Sequence, residues 1–596
     1  MKRRVADIIM DIVVDNGITD CFAVVGGGAM HIDNALAMKP EMNKVFCHHE
    51  QVCAMAAEGY AKACGRMALV SVTSGPGAIN TFNGVQGAWV DNVPMLVIAG
   101  FPRYETTIEP TGLQLRCRGV QEFDAVSAVK GFTKYASLLT NPLDVRKEVL
   151  KAIEIARTGR KGPVWLSIPL DVQGTWVEED DLAAAEDCMD FSDAPDHELM
   201  IQLNDMIQSA KRPCILTGSG IRMSGAVENF RTWVEAMEIP VVGGALQADI
   251  LYEGAPFYYG TSGTVGGRKG NFILQNADLI IVLGNSLPTK QTGFYMEGFA
   301  PNAKIVMVDI SEDEMRKPGL RVDLRIRADI NAFLRSADNT IRKWTRHDEW
   351  ITYLDHLDDE LGDIDLREAG DAEERVSYYV LAKEILDRSS GTEWFALGNS
   401  NGMLGFLQIG AVAPGQRMIV NYNTGSMGDD IPEAIGMAVA SNGERTIYCI
   451  TGDGSIMMNL QDLQTIHHYD LPVKIVILSN DGYGALRQTN KNFFQGTYIG
   501  CDKQSGVSFP DFGKIADAFG FRFMECHNNG ELADVLDAFL AEKGRTILVV
   551  DQLLDDPILP KVMSRMNEDG TFHTPCLHEM YPFIGEEVMR RLMIVP

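Results

Sequence analysis

Short runs that are apolar on both faces recur along the chain, each followed by a segment whose apolar residues return every three or four positions. "DCFAVV", "KVFCH", "MALVSVT", "PMLVIAG" and "VWLSIP" make a first set, "PCILTG", "IPVVGG", "LIIVLG" and "KIVMVDI" a second, and "TIYCIT", "VKIVIL" and "TILVVD" a third. Strands buried on both faces and covered by amphipathic helices mark the parallel sheet of an α/β domain. The pattern breaks at an acidic, Ala-rich stretch from Glu178 to Asp196 and again at "DHLDDELGDIDLREAGDAEE", residues 355–374. We therefore expect three doubly wound α/β domains, at 1–177, 195–345 and 375–556, with an irregular tail over 557–596. The opening "MKRRVADIIMDIVVDNG" is basic and then apolar, but Asp7, Asp11 and Asp15 interrupt it at helical spacing. A packed helix with Val5, Ile8, Ile9, Ile12 and Val13 on one stripe is expected there, not a leader peptide.

Composition narrows what such a molecule does. With 596 residues, 46% of them hydrophobic, the chain holds more apolar material than one core can use. A formal charge of −28 repels phosphate backbones and anionic lipid, so small-molecule substrates are expected in place of nucleic acid or membrane partners. No stretch reaches the ~18 consecutive apolar residues of a membrane-spanning helix. The 11 cysteines are odd in number and contain no C-x-x-C pair, which fits a reducing compartment and a cytoplasmic location.

A doubly wound sheet takes its ligand outside the carboxyl ends of its strands, where glycine turns let backbone approach it. The strongest candidate lies in the third domain. Strand "TIYCIT" runs into Gly452-Asp453-Gly454-Ser455, a helix is expected over "IMMNLQDLQTIHHY", and strand "VKIVIL" leads to Ser479-Asn480-Asp481-Gly482. Asp453 and Asn480 are 27 residues apart, one helix and one strand, so both side chains emerge at the carboxyl ends of strands expected to be neighbours. A carboxylate, an amide oxygen and a nearby backbone carbonyl are hard ligands of the kind Mg²⁺ or Ca²⁺ prefers, with a diphosphate completing the shell.

This constellation resembles the metal-diphosphate signature of the thiamine diphosphate enzymes. "CHHEQVCAMAAEGYAKACG", residues 47–65, is similar to that family's strand-end glutamate and the helix over the pyrimidine ring, which puts Glu50 against the pyrimidine N1′. The resemblance implies pyrimidine-binding, central and diphosphate-binding domains, and bound thiamine diphosphate and Mg²⁺. Asp453, Asn480 and Gly482 would hold the metal, and Gly26, Gly27, Gly452, Gly454 and Ser455 would join them around the cofactor. It also implies a homo-oligomer, at least a dimer, because the two halves of the family's site come from different subunits. In "TSGPGAIN" Gly75 and Gly77 would supply permissive backbone beside the cleft and Pro76 the bend.

From about residue 4 to 560 the chain is similar to one branch, the acetohydroxyacid (acetolactate) synthases. "GNSNGML" resembles their diphosphate-contacting loop and nominates Asn399 and Ser400; "NTGSMGDDIPEAIG" nominates Ser426 and Met427, the latter as the wedge under the cofactor; "GVQEFDAVSAVKGFTKYA" puts Gln121 near the reacting carbon, with Lys134 further off. Departures from the branch also matter. Thr489 stands where the synthases carry a bulky Trp, and Asp429 and Asp430 replace an aromatic and a glycine. With Arg487 and Asn490, these suggest a wider, more polar acceptor pocket, as in a synthase-like subgroup acting on keto-sugars. In the central domain "LTGSGIRMSGA" and "YYGTSGTVGGRKGN" loosely resemble FAD-binding segments, with Arg222 and Arg268 placed to meet phosphates, but "GNSLPTKQTG" lacks the synthases' arginine. FAD is left open as a further cofactor.

The expected activity is a thiamine diphosphate- and Mg²⁺-dependent carboligase that decarboxylates a 2-oxo acid, pyruvate first, and transfers the acyl fragment to an acceptor carbonyl of a 2-oxo acid or keto-sugar. Glu50 and Gln121 are its candidate catalytic residues, and Gln121, Asp430 and Thr489 its candidate substrate contacts. The alternatives are a non-oxidative 2-oxo acid decarboxylase and a silent cofactor-binding homologue. An NAD-binding oxidoreductase would explain the glycine turns but not the metal-ligand spacing.

Overall fold

The computed structural model describes residues 1–185, 194–244, 249–361, 369–410, 412–566, 569 and 571–594. Helix α1 (Val5–Asp15) buries Val5, Ile8, Ile9 and Val13 against the first domain. That domain is built on β1 (Asp20–Val24), β2 (Asn43–Phe46), β3 (Ala68–Val72), β4 (Met95–Phe101), β5 (Tyr135–Leu138) and β6 (Pro163–Pro169), with helix α2 (Glu50–Cys64) between β2 and β3. Its strands are all parallel, in the order β2-β1-β3-β4-β6-β5. β3, β4 and β6 are buried along their whole length, which is why "ALVSV", "MLVIAGF" and "PVWLSIP" carry no polar face.

The central sheet comprises β7 (Pro213–Thr217), β8 (Val241–Gly244), β9 (Tyr258–Ser262), β10 (Leu279–Leu283), β11 (Lys304–Asp309) and β12 (Leu324–Arg327), again parallel, in the order β9-β8-β7-β10-β11-β12. Helices α3 (Arg268–Asn276) and α4 (Asp348–Leu361) cover it. The expected break at 355–374 therefore starts too early: Leu354, Leu357 and Leu361 return at helical spacing and are buried in α4. Residues 186–193 and 362–368 of the two breaks lie outside the described residues.

The third sheet holds β13 (Trp394–Leu397), β14 (Arg417–Val420), β15 (Ile447–Gly452), β16 (Val473–Ser479), β17 (Arg522–Cys526) and β18 (Thr546–Asp551), with helices α5 (Asp430–Ala440) and α6 (Gly484–Phe493). Its order, β14-β13-β15-β16-β18-β17, repeats that of the first sheet, and all its strands are parallel. α2 and α5 pack face to face between these two domains. A Cβ on Gly436 would lie 2.0 Å from the Ala56 carbonyl oxygen, and one on Gly59 2.8 Å from the Glu433 Cα, so a glycine on each helix permits the approach.

The tail, expected to be irregular, forms short strand pairs and a helix. Lys561–Val562 pairs antiparallel with Met580–Tyr581, Arg565–Met566 pairs with Phe572–His573, and α7 (Glu586–Leu592) follows. Its apolar residues Val562, Leu577, Met580 and Leu592 belong to the core of the central domain. Arg268 donates to the carbonyls of Met580 (3.0 Å) and Pro582 (2.6 Å), Asn271 to that of Leu577, and Asn276 to that of Leu592.

Candidate active site

The first domain gathers its candidates at the carboxyl edge of the sheet. Glu50 opens α2 directly after β2; it is half-buried, and its Oε2 accepts a hydrogen bond from Asn80 Nδ2 at 3.0 Å. The turn after β3 lies against it. A Cβ on Gly77 would sit 3.3 Å from Glu50 Oε1, and one on Gly75 2.6 Å from the Gln121 carbonyl oxygen. Close approach is the reason for both glycines. Gly26 meets the same turn: its side would strike Thr73 at 2.6 Å, while Gly28 N–H donates to Thr73 Oγ1. Gln121 is exposed and held at φ +54°, a left-handed conformation uncommon for a residue with a side chain.

The second group stands on the third domain around a cavity of about 510 Å³, whose walls include Asn399, Met427, Asp453, Asn480, Tyr483 and Gln552. β15 and β16 pair in register through Gly452 and Leu478, which sets Asp453 beside Asn480 as the spacing predicts. Asp453 is 3% exposed and its Oδ2 accepts from the backbone N–H groups of Asn480 (3.1 Å) and Gly482 (3.2 Å). Burial pushes its carboxyl up to about 7, against the pull of those backbone donors. Asn480 Oδ1 is buried and has no hydrogen-bond partner among the described residues. A carboxyl lifted by burial and an unpartnered amide oxygen, side by side at a cavity wall, fit a divalent cation. No group of three or more His, Cys, Asp or Glu suited to a metal occurs among the described residues. Ser400, at φ +54°, precedes a helix over Asn401–Ile409, and both Ser400 and Asn401 line the cavity. Gly452, Gly454, Ser455 and Gly482 line it too. A Cβ on Gly454 would lie 2.2 Å from Tyr483 Cε1.

Other candidates turn away from the cavity. Asp430 is fully buried beneath it: its Oδ2 accepts from Thr451 Oγ1 (2.8 Å) and Ser455 Oγ (2.7 Å), so it braces the turn and cannot meet a substrate. Thr489 is exposed on α6 with its hydroxyl bonded to the Ala485 carbonyl; the cavity meets that helix at Gly484, Ala485 and Leu486 instead. Ser426 Oγ donates to Asn83 Oδ1. Arg487 donates to the carbonyls of Asn480 (2.7 Å) and Leu554, and Lys134 to those of Ile155 and Thr158. Both Asp429 oxygens are buried without a partner among the described residues, inside the α2–α5 interface. The segment after Gly454 forms short turns and a helix only over Leu463–His468, not the long helix expected. Asn80, Tyr483 and Gln552 were missed; Asn80 carried a signal, as the last residue of "TSGPGAIN".

The central domain offers a cleft of about 90 Å³ where strand order reverses between β7 and β10, lined by Ser219, Ser286, Asp309 and Asp329. Its cations are committed elsewhere. Arg222 binds Asp249 (3.0 Å), Arg268 is buried against the tail, Arg160 pairs with Glu314, and Lys161 donates to the Met223 carbonyl. Next to this cleft Lys290 lies over the Tyr422 ring at 3.9 Å. Arg222 and Arg268, the two cations nominated for the phosphates of FAD, are thus both engaged within the protein.

Two sheets of one strand order, each with a polar cluster at its carboxyl edge, one around Asp453 and Asn480 and one around a strand-end glutamate, are the arrangement of a thiamine diphosphate enzyme. Residues 3–126 match the family profile described as thiamine pyrophosphate enzyme, N-terminal TPP binding domain; 200–337 match its central domain; and 399–550 its C-terminal TPP binding domain. The chain belongs to the thiamine pyrophosphate enzyme family, within its acetolactate synthase-like branch. It is 30% identical over 547 residues to the acetolactate synthase isozyme 2 large subunit of Escherichia coli (strain K12), covering 90% of this chain and 93% of that one. It is 28% identical to the acetolactate synthase large subunit of Lactococcus lactis subsp. lactis (strain IL1403), over 95% of each chain. Acetolactate synthase 1, chloroplastic, of Zea mays is 29% identical over 94% of this chain and 87% of its own.

Proposed function

We propose that the protein is a thiamine diphosphate- and Mg²⁺-dependent carboligase that decarboxylates a 2-oxo acid, pyruvate first, and joins the acyl fragment to an acceptor carbonyl. The observation that carries this reading is the pairing of buried Asp453 with the unpartnered Asn480 oxygen at the cavity wall. Similarity to acetolactate synthases along nearly the whole chain supports the choice of ligation over simple decarboxylation.

Asp453, Asn480 and the Gly482 carbonyl would hold Mg²⁺, and Asn399, Ser400 and the first amides of the Asn401–Ile409 helix would take the diphosphate. When bound, the cofactor supplies an acidic ring carbon that adds to a carbonyl and an electron sink for the decarboxylated fragment. Glu50 would hold a proton against the pyrimidine nitrogen, steadied by Asn80. Met427 would prop the cofactor from below, and Gln121, fixed by its strained backbone, would orient the substrate. With Asp430, Arg487 and Thr489 turned elsewhere, the acceptor's selectivity falls to Gln121 and to groups at the cavity mouth.

Glu50 is not on the wall of the cavity that holds Asp453 within one chain. Both clusters are rimmed by exposed apolar side chains, Val25, Met30, Ile79 and Val120 on one domain and Met457, Met458 and Leu486 on the other. A second copy would bring the first cluster of one chain onto the cavity of the other, so the working unit is at least a homodimer.

Incubation with pyruvate, thiamine diphosphate and Mg²⁺, with and without 2-oxo acid and keto-sugar acceptors, tests the reaction. A new carbon–carbon bond is expected; acetaldehyde as the main product under every condition would overturn ligation. Glu50→Gln should bind the cofactor yet slow hydrogen–deuterium exchange at its C2 by about 100-fold or more.

A further inference from the structure

A carboxamide has two chemically different ends, and only the oxygen end ligates a cation. Asn480 can serve the metal only if its oxygen faces the cavity, and what sets that orientation is the partner of its nitrogen. That partner is Gln552: Asn480 Nδ2 donates to Gln552 Oε1 at 3.3 Å.

Gln552 is itself firmly placed. It follows β18, which pairs with β16 through Ser479 and Asp551, so Asn480 and Gln552 each stand one residue past paired strand ends. Its backbone N–H donates to the Ser479 carbonyl at 2.9 Å, its carbonyl accepts from Arg375, and the residue is fully buried. Its remaining polar atom, Nε2, is buried with no partner among the described residues, and the residue lines the cavity. One wall therefore carries two unpartnered atoms of opposite character, the Asn480 lone pair and the Gln552 N–H. A buried donor left unpaired is costly, and such atoms persist where a ligand completes them. An oxygen-bearing anion chelated to a divalent cation presents both complements at once.

We propose that Gln552 is a positioning residue for the metal ligand Asn480 and a direct hydrogen-bond donor to the metal-bound diphosphate. The inference rests on the reading of this cavity as a metal-diphosphate site. Gln552→Glu keeps an acceptor for Asn480 Nδ2 but removes the donor and adds negative charge; Gln552→Met removes acceptor and donor at similar volume.

Calorimetric titration of the full chain separates the two roles, with thiamine diphosphate added at saturating Mg²⁺ and Mg²⁺ added at saturating thiamine diphosphate. Q552M should weaken both affinities by about tenfold or more. Q552E should keep the Mg²⁺ midpoint within about threefold of the parent, or tighten it, and weaken thiamine diphosphate by about tenfold or more. Melting of the apo proteins within a few degrees of the parent excludes a folding defect, and if Q552M fails to fold, Q552E carries the test. D453N is the control on the reading beneath. If D453N loses Mg²⁺-dependent binding while the Gln552 variants bind like the parent, the role of Gln552 is overturned alone; if D453N binds like the parent, the metal-site reading falls and this inference with it.

Discussion

Asp453 is the residue at which the chemistry of the cavity is most exposed to experiment. Its carboxyl is raised to about 7 by burial, so under the proposed function a proton would compete with Mg²⁺ for the same oxygens below that pH. Mg²⁺ affinity should therefore fall by up to about tenfold per pH unit below 7 and level off above it, which titrations between pH 5.5 and 8.5 would show. Asn80 makes a different prediction. Removing its donor with Asn80→Ala leaves Glu50 unsteadied and should slow C2 exchange by about tenfold while cofactor affinity stays within about threefold. At this scale the sequence was readable where residue type and spacing both constrain the answer, as for Asp453 and Asn480. It was misleading at Asp430, because a carboxylate next to a motif points to function only if the helix start aims it outward, and here Thr451 and Ser455 hold it inward. Gln552 sits in an unremarkable strand end; its contact with Asn480 spans 72 residues and arises only from the pairing of β16 with β18.

Among the elements, α2 and α5 decide how the first and third domains meet. Their approach leaves no room for a methyl group at Gly436, so Gly436→Ala should cost about 1–3 kcal/mol in chemical denaturation. The same interface buries Glu58, Asp91, Asp429 and Glu433 around Lys62, which binds Glu58 at 2.6 Å, Asp91 at 2.9 Å and Glu433 at 3.2 Å. Burial raises Glu58 to about 7 and Glu433 to about 8, with Lys62 opposing the rise. A carboxyl raised on folding holds a proton that the unfolded chain releases, so its contribution is full below its unfolded value and is lost as pH rises through 7 to 8. The denaturation midpoint should drop from about pH 5 to about pH 8 and level off above it, and Glu433→Gln should flatten that drop. The strands of both domains were legible because they are apolar on both faces. The acid cluster was not, since its members come from α2, the turn before β4 and α5, and no local pattern announces that they share one lysine.

For the molecule as a whole, the proposed function makes association a condition of activity, since Glu50 stands apart from the cavity of its own chain. Sedimentation should give twice the chain mass or a multiple of it, and specific activity should fall on dilution as dimers part. The three-domain arrangement followed from the repeated strand pattern, whereas the destination of the tail could not, because its apolar residues carry no mark of the core they enter. That destination bears on how the protein is made. β12 ends at Arg327, yet Leu577, Met580 and Leu592 complete the core of the central domain. A growing polypeptide therefore completes the third sheet before the residues that close the central core have been made, and until they arrive part of that core faces water.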